Sequence, residues 1–103
     1  MISLTVTLPE TVDAHEIEDE IVTALADRLR DDHGYELVAG VSASISGTGN
    51  EYPLHPSSSI VIEKEPRALR VKLRGVKVDA RDLFTQVSSE LEQRHQELRA
   101  EIG

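Results

Sequence analysis

The 103-residue chain carries 11 Lys and Arg against 19 Asp and Glu, a formal net charge of −8. It has no Cys, which excludes disulfides, thiolate zinc sites, dithiol redox chemistry and a cysteine nucleophile. No apolar run approaches the roughly 20 residues of a membrane span, and Met1-Ile2-Ser3-Leu4-Thr5 lacks the regions of a signal peptide, so the expected location is the cytoplasm or a virion, with no membrane partner.

Residues 2–8 alternate, with Ile2, Leu4, Val6 and Leu8 on one face and Ser3, Thr5 and Thr7 on the other. This is a half-buried strand, stopped by Pro9. Asp13 and Glu16 stand at capping-box spacing, and Val12 and Ile17 at the spacing of a hydrophobic staple, so a helix starts there. Its apolar stripe is Ile17, Ile21, Ala24, Leu25 and Leu29, with Glu18, Asp19, Asp27, Arg28 and Asp31 opposite. Gly34 fits the left-handed position that ends it near His33.

A second, long strand is expected from Tyr35 to Ser46, where Tyr35, Leu37, Ala39, Val41, Ala43 and Ile45 alternate with Glu36, Val38, Gly40, Ser42 and Ser44. Residues 46–59 have loop chemistry, rich in Gly, Pro, Asn and Ser. Ile60-Val61-Ile62 is a third strand and Leu69, Val71 and Leu73 mark a fourth, joined by a turn at Glu65-Pro66. The apolar parity switches at Gly75, as a bulge would produce. Asp79 and Asp82, with Val78 and Leu83, start a last helix whose stripe is Leu83, Phe84, Val87, Leu91, Leu98 and Ile102. Its end, residues 92–103, is mostly polar and is expected to protrude.

The expected order is β-α-β-β-β-α in a single domain, residues 1–103. The first two strands, joined by a helix, form a parallel right-handed unit, and the others add antiparallel. With one apolar stripe per helix, the fold is an α+β two-layer sandwich: a four-stranded mixed sheet with both helices on one face.

Chemistry-bearing residues do not converge. His15, His33, His55 and His95 show no metal-ligand spacing. Gly47-Thr48-Gly49 lacks the following helix of a phosphate loop. Ser57-Ser58-Ser59 near His55 lacks a nucleophile elbow, and Glu16, Glu18, Asp19 and Glu20 form a run on a solvated helix. No catalytic, metal or cofactor residue is assigned, and the chain is expected not to be an enzyme.

Charge is segregated instead. Residues 64–81 hold seven cations against two carboxylates, net +5, which leaves −13 for the rest of the chain. Arg70, Lys72 and Arg74 alternate with Leu69, Val71 and Leu73, so they form a basic row on the sheet face away from the helices. Such a row either pairs across the hairpin with Glu63 and Glu65 or meets a partner. Candidate contact residues are Arg67, Arg70, Lys72, Arg74 and Lys77 in this segment, Tyr52, Leu54 and His55 in the loop, and Leu98 and Ile102 on the last helix.

The order β-α-β-β-β-α, with the strand–Gly75–Asp79–Ala80–helix join, resembles the ribosome hibernation-promoting factor family. That resemblance implies a domain seated in the small-subunit decoding region, contacting RNA through basic helix residues. Here residues 1–63 hold 12 Asp and Glu against 2 Lys and Arg, so RNA contact through the 64–81 stripe is the alternative reading. The leading expectation is a non-enzymatic structural module making protein–protein contacts, with copies of itself as partners in a larger assembly such as a tailed-virus neck or tail. Eight Arg against three Lys, both outnumbered by acids, suit a salt-adapted source.

Overall fold

The computed structural model describes residues 2–38, 43–45 and 49–103. In chain order the elements are β1 (Leu4–Thr7), α1 (Ala14–His33), β2 (Glu36–Leu37), β3 (Ala43–Ile45), β4 (Gly49–His55), β5 (Ser58–Glu65), β6 (Ala68–Arg74), α2 (Ala80–Arg94) and β7 (Arg99–Ile102).

Both helices begin and end where their local chemistry dictates. The Asp13 carboxylate caps α1 by accepting from the His15 N–H at 3.0 Å. Gly34, at φ +75°, ends the helix, and the Gly34 and Tyr35 N–H groups turn back to the Arg30 and Leu29 carbonyls at 3.3 and 3.0 Å. Asp79 caps α2 by accepting from Asp82 N–H at 3.2 Å. Arg28 joins the two helices through Glu90 at 2.8 Å and Gln86 at 3.2 Å, and Arg94 reaches Glu20 at 3.7 Å, so the helices run antiparallel.

All strand pairs among the described residues are antiparallel. The sheet has six rows in the order β2-β4-β5-β6-β1-β7, with β3 sharing β2's row beside β4. Leu4 and Val6 of β1, Ile60 and Ile62 of β5, and Leu69 and Val71 of β6 face the helices. They close one apolar core with Ile17, Ile21, Leu25 and Leu29 of α1 and Leu83, Phe84, Val87 and Leu91 of α2. The α+β class and the two layers follow from this single core. Among the described residues no helix packs on the opposite sheet face.

The four-stranded mixed sheet and the order β-α-β-β-β-α are corrected. β1 is flanked by β6 and β7, both antiparallel, so no parallel β-α-β unit exists among the described residues. Among the described residues, the expected long strand 35–46 contributes β2 and β3, both beside β4 at the sheet edge. Its residues 39–42 and 46, and Gly47-Thr48 of the glycine turn, lie outside the described residues.

The expected 46–59 loop contains β4. Asn50, Tyr52 and Leu54 alternate with Glu51, Pro53 and His55, and β5 supplies a ladder from Leu54↔Ser58 to Gly49↔Glu63. Pro53 is tolerated because its carbonyl accepts from Val38 N–H at 3.0 Å, so its missing N–H faces the short edge row rather than β5.

The protruding helix end is also corrected. His95 has extended backbone and closes α2 through Leu91 O, and Leu98 N–H bonds His95 O at 3.1 Å. Residues 99–102 then pair with β1 from Leu4↔Ile102 to Thr7↔Arg99. Ser3 and Gly103 exchange two backbone bonds, at 2.8 and 3.0 Å. Gly75, at φ +71°, follows the last residue of β6 and is not a bulge inside it.

Candidate functional site

The basic row lies on the open face, as its alternation predicts, and its charges are taken up within the hairpin sheet. Arg70 pairs with Glu65 at 3.0 Å, Lys72 with Glu63 at 2.9 Å, and Arg74 with Glu51 at 3.2 Å. Ser59 Oγ also donates to Glu51, at 2.6 Å. Lys72 hydrogen-bonds Glu63 and holds its carboxyl below the usual range; slight burial opposes this, while the charges of Lys72 and Arg70 add to it. Between these pairs Val61, opposite Lys72 and Glu51, is buried although it faces away from the core. The row is therefore a neutralised charge ladder, the cross-strand arrangement that keeps an uncovered sheet face hydrated.

Arg67, in the turn after β5, pairs with Glu10. Lys77, Arg81 and Arg99 are exposed and have no carboxylate within ion-pair distance among the described residues. The backbone N–H of Lys77 donates to the Tyr35 hydroxyl at 3.2 Å, which ties the β6–α2 connection to the end of α1.

The other candidate contact residues divide. Leu54 and Leu98 are in the core, Ile102 is half-buried against it, and His55 is exposed at the end of β4. Tyr52 faces the helices and meets a residue the sequence reading placed on the solvated side. Glu18 is 0% exposed. Its Oε2 accepts from the Tyr52 hydroxyl and from Asn50 Nδ2 at 2.8 Å. Lys64 Nζ lies 3.1 Å from Oε1, attracted by its charge but off-line for a hydrogen bond, so Oε1 keeps an unfilled acceptor position.

Burial pushes the Glu18 carboxyl up, but the hydrogen bonds from Tyr52 and Asn50 and the nearby Lys64 ammonium outweigh it, leaving the group below its ordinary value. Burial and the adjacent carboxylate push the Tyr52 hydroxyl well up, so it stays a donor. The signal for Glu18 was present in the spacing. Residues 18, 22, 25 and 29 recur at intervals of four, three and four, so Glu18 stands on the apolar stripe with Val22, Leu25 and Leu29.

A groove of about 220 Å³ runs between the helices, lined by Asp19, Glu20, Thr23, Asp27, Glu90 and Arg94. Of its carboxylates, Glu20, Asp27 and Glu90 are engaged by Arg28, Arg30, Arg94 and His95, the last at 2.6 Å from Glu20, and Asp19 lies 3.7 Å from His15 Nε2. No group of three metal-ligating side chains occurs among the described residues.

The exposed large hydrophobics among the described residues are Leu37 and Val38, at 39% and 37% exposure. Both lie at the β2 edge, and a shallow groove of about 280 Å³ along α1, lined by Thr23, Ala26, Asp27, Arg30, Glu36 and Leu37, opens beside them. The opposite edge, β7, is treated differently: Glu92 reaches across to accept the Ala100 N–H at 3.2 Å, which blunts it. No protein-family model matches the chain, and neither a curated protein nor a solved structure is similar to it at a significant level.

Proposed function

We propose that the chain is a non-enzymatic assembly module that works through protein–protein contacts, copies of itself among its partners, within a larger complex of the kind that builds tailed-virus necks and tails. The observation that supports this reading best is the asymmetry of the sheet edges. One edge is blunted by Glu92, while the other presents Leu37 and Val38 to solvent beside a groove. Adjacent exposed apolar residues on a strand edge are a contact feature that solitary proteins avoid. The ladder on the open face works against the RNA alternative, because paired cations release few counterions from a phosphate backbone. The element order behind the family resemblance is also absent.

Sedimentation velocity over a wide range of protein and salt concentration tests the proposal. A concentration-dependent oligomer is expected, and Leu37→Asp with Val38→Asp is expected to dissolve it while the circular dichroism spectrum stays unchanged. A strict monomer at every concentration overturns self-association. A monomer that co-sediments with ribosomal subunits instead favours the RNA reading.

A further inference from the structure

Strands of this sheet are held to the helices unequally. β1, β5 and β6 each place two fully buried aliphatic side chains in the core. β4 buries only Leu54 fully there; its two other helix-facing residues, Asn50 and Tyr52, both end on the Glu18 carboxylate, with the Tyr52 ring packed half-buried at the core's margin. The polar attachment of β4 to α1 therefore runs through one charge, and among the described residues β2 and β3 join the sheet through β4.

We propose that Glu18 is an acid-sensitive latch: its carboxylate holds the β2–β3–β4 side of the sheet against α1, and its protonation frees that side while β1, β5 and β6 stay packed. The groups that face Glu18 among the described residues are Tyr52 and Asn50 from β4 and Lys64 from β5. Neighbouring Asp19, on α1, acts on the Tyr52 hydroxyl, which it helps to keep protonated. Each of the three contacts gains from negative charge on Glu18. A neutral carboxyl loses the attraction of Lys64 and keeps only weak acceptor bonds to Tyr52 and Asn50.

The direction in pH follows from linkage. The folded carboxyl titrates below its unfolded value, so the latch is fully set above the unfolded value and is lost as pH falls through the folded one. The trigger thus lies in acid, and neutral conditions keep the latch closed. The proposal does not depend on the assembly reading.

Hydrogen exchange of the wild-type chain, read by NMR as protection factors corrected for intrinsic rates, tests it alongside the Glu18 side-chain carboxyl signal. On acidification, β4 protection is expected to fall about ten- to hundredfold in step with the Glu18 titration, while β1 and β6 amides hold theirs. Glu18→Gln is expected to show weak β4 protection already at neutral pH and no acid step. Tyr52→Phe, which keeps the shape and removes one donor, is expected to move the step to higher pH. Joint loss of β4, β1 and β6 protection, or an acid step that persists in Glu18→Gln, overturns the latch.

Discussion

Leu98 separates the two accounts of the C-terminal segment, because helix and strand predict opposite outcomes for the same substitution. On a protruding helix Leu98 would be exposed, and Leu98→Ala would be neutral or slightly stabilising, since Ala is the best helix former. In the structure Leu98 is 3% exposed and belongs to the core. Truncation to Ala removes three carbons' worth of buried area and leaves a cavity, which in protein cores costs about 2–5 kcal/mol. Because Leu98 leads into β7, the edge strand of the sheet, its surroundings can partly collapse, so the lower part of that range, about 2–3 kcal/mol, is expected. For a domain of this size each kcal/mol lowers Tm by about 4–8 °C, so the drop is at least about 8 °C. Urea unfolding followed by circular dichroism should show a lower midpoint with an unchanged m value. A change below about 0.5 kcal/mol would place Leu98 outside the core and refute the pairing of β7 with β1.

Three other outcomes follow from single contacts. Gly34 and Gly75 share a left-handed backbone, but a Cβ at Gly75 would lie 2.8 Å from Ser57 O, whereas one at Gly34 meets nothing within 4 Å. Gly34→Ala should therefore cost about 1–2 kcal/mol, and Gly75→Ala measurably more, by chemical denaturation. Lys72→Ala should cost under about 1 kcal/mol at neutral pH, because the pair is solvated. Glu63 titrates below its ordinary value, so the pair's contribution is present above the unfolded value and fades in acid, and the urea midpoints of wild type and Lys72→Ala should converge there. Changing Arg70, Lys72 and Arg74 together to Gln should leave any weak RNA binding and its salt slope in filter assays unaltered; a slope reduced by about two to three would show that the row contacts phosphates.

What the sequence alone determined is what short-range chemistry controls. Asp13, Gly34 and Asp79 set helix ends because a cap needs only the backbone within a few residues of it. The β5–β6 hairpin was legible because a tight turn brings two alternating runs together. The placement of Arg70, Lys72 and Arg74 on the uncovered face was legible for the same reason: alternation is a local property.

Tertiary structure decided whatever needed a distant partner. Residues 49–55 have the composition of a loop and become β4 because β5 offers them a ladder. Residues 99–102 continue a helical spacing weakly, and become β7 because β1 would otherwise end the sheet on an unpaired edge. The net charge of −8 is arranged by contacts that composition does not reveal. Within the basic segment, Arg70, Lys72 and Arg74 are matched to Glu65, Glu63 and Glu51. One acid of a run that reads as solvated, Glu18, turns inward, because Tyr52, Asn50 and Lys64 converge there only once β4 and β5 are paired under α1. A carboxylate can occupy an apolar stripe only when the fold supplies its donors, and those donors come from 32 or more residues away in the chain.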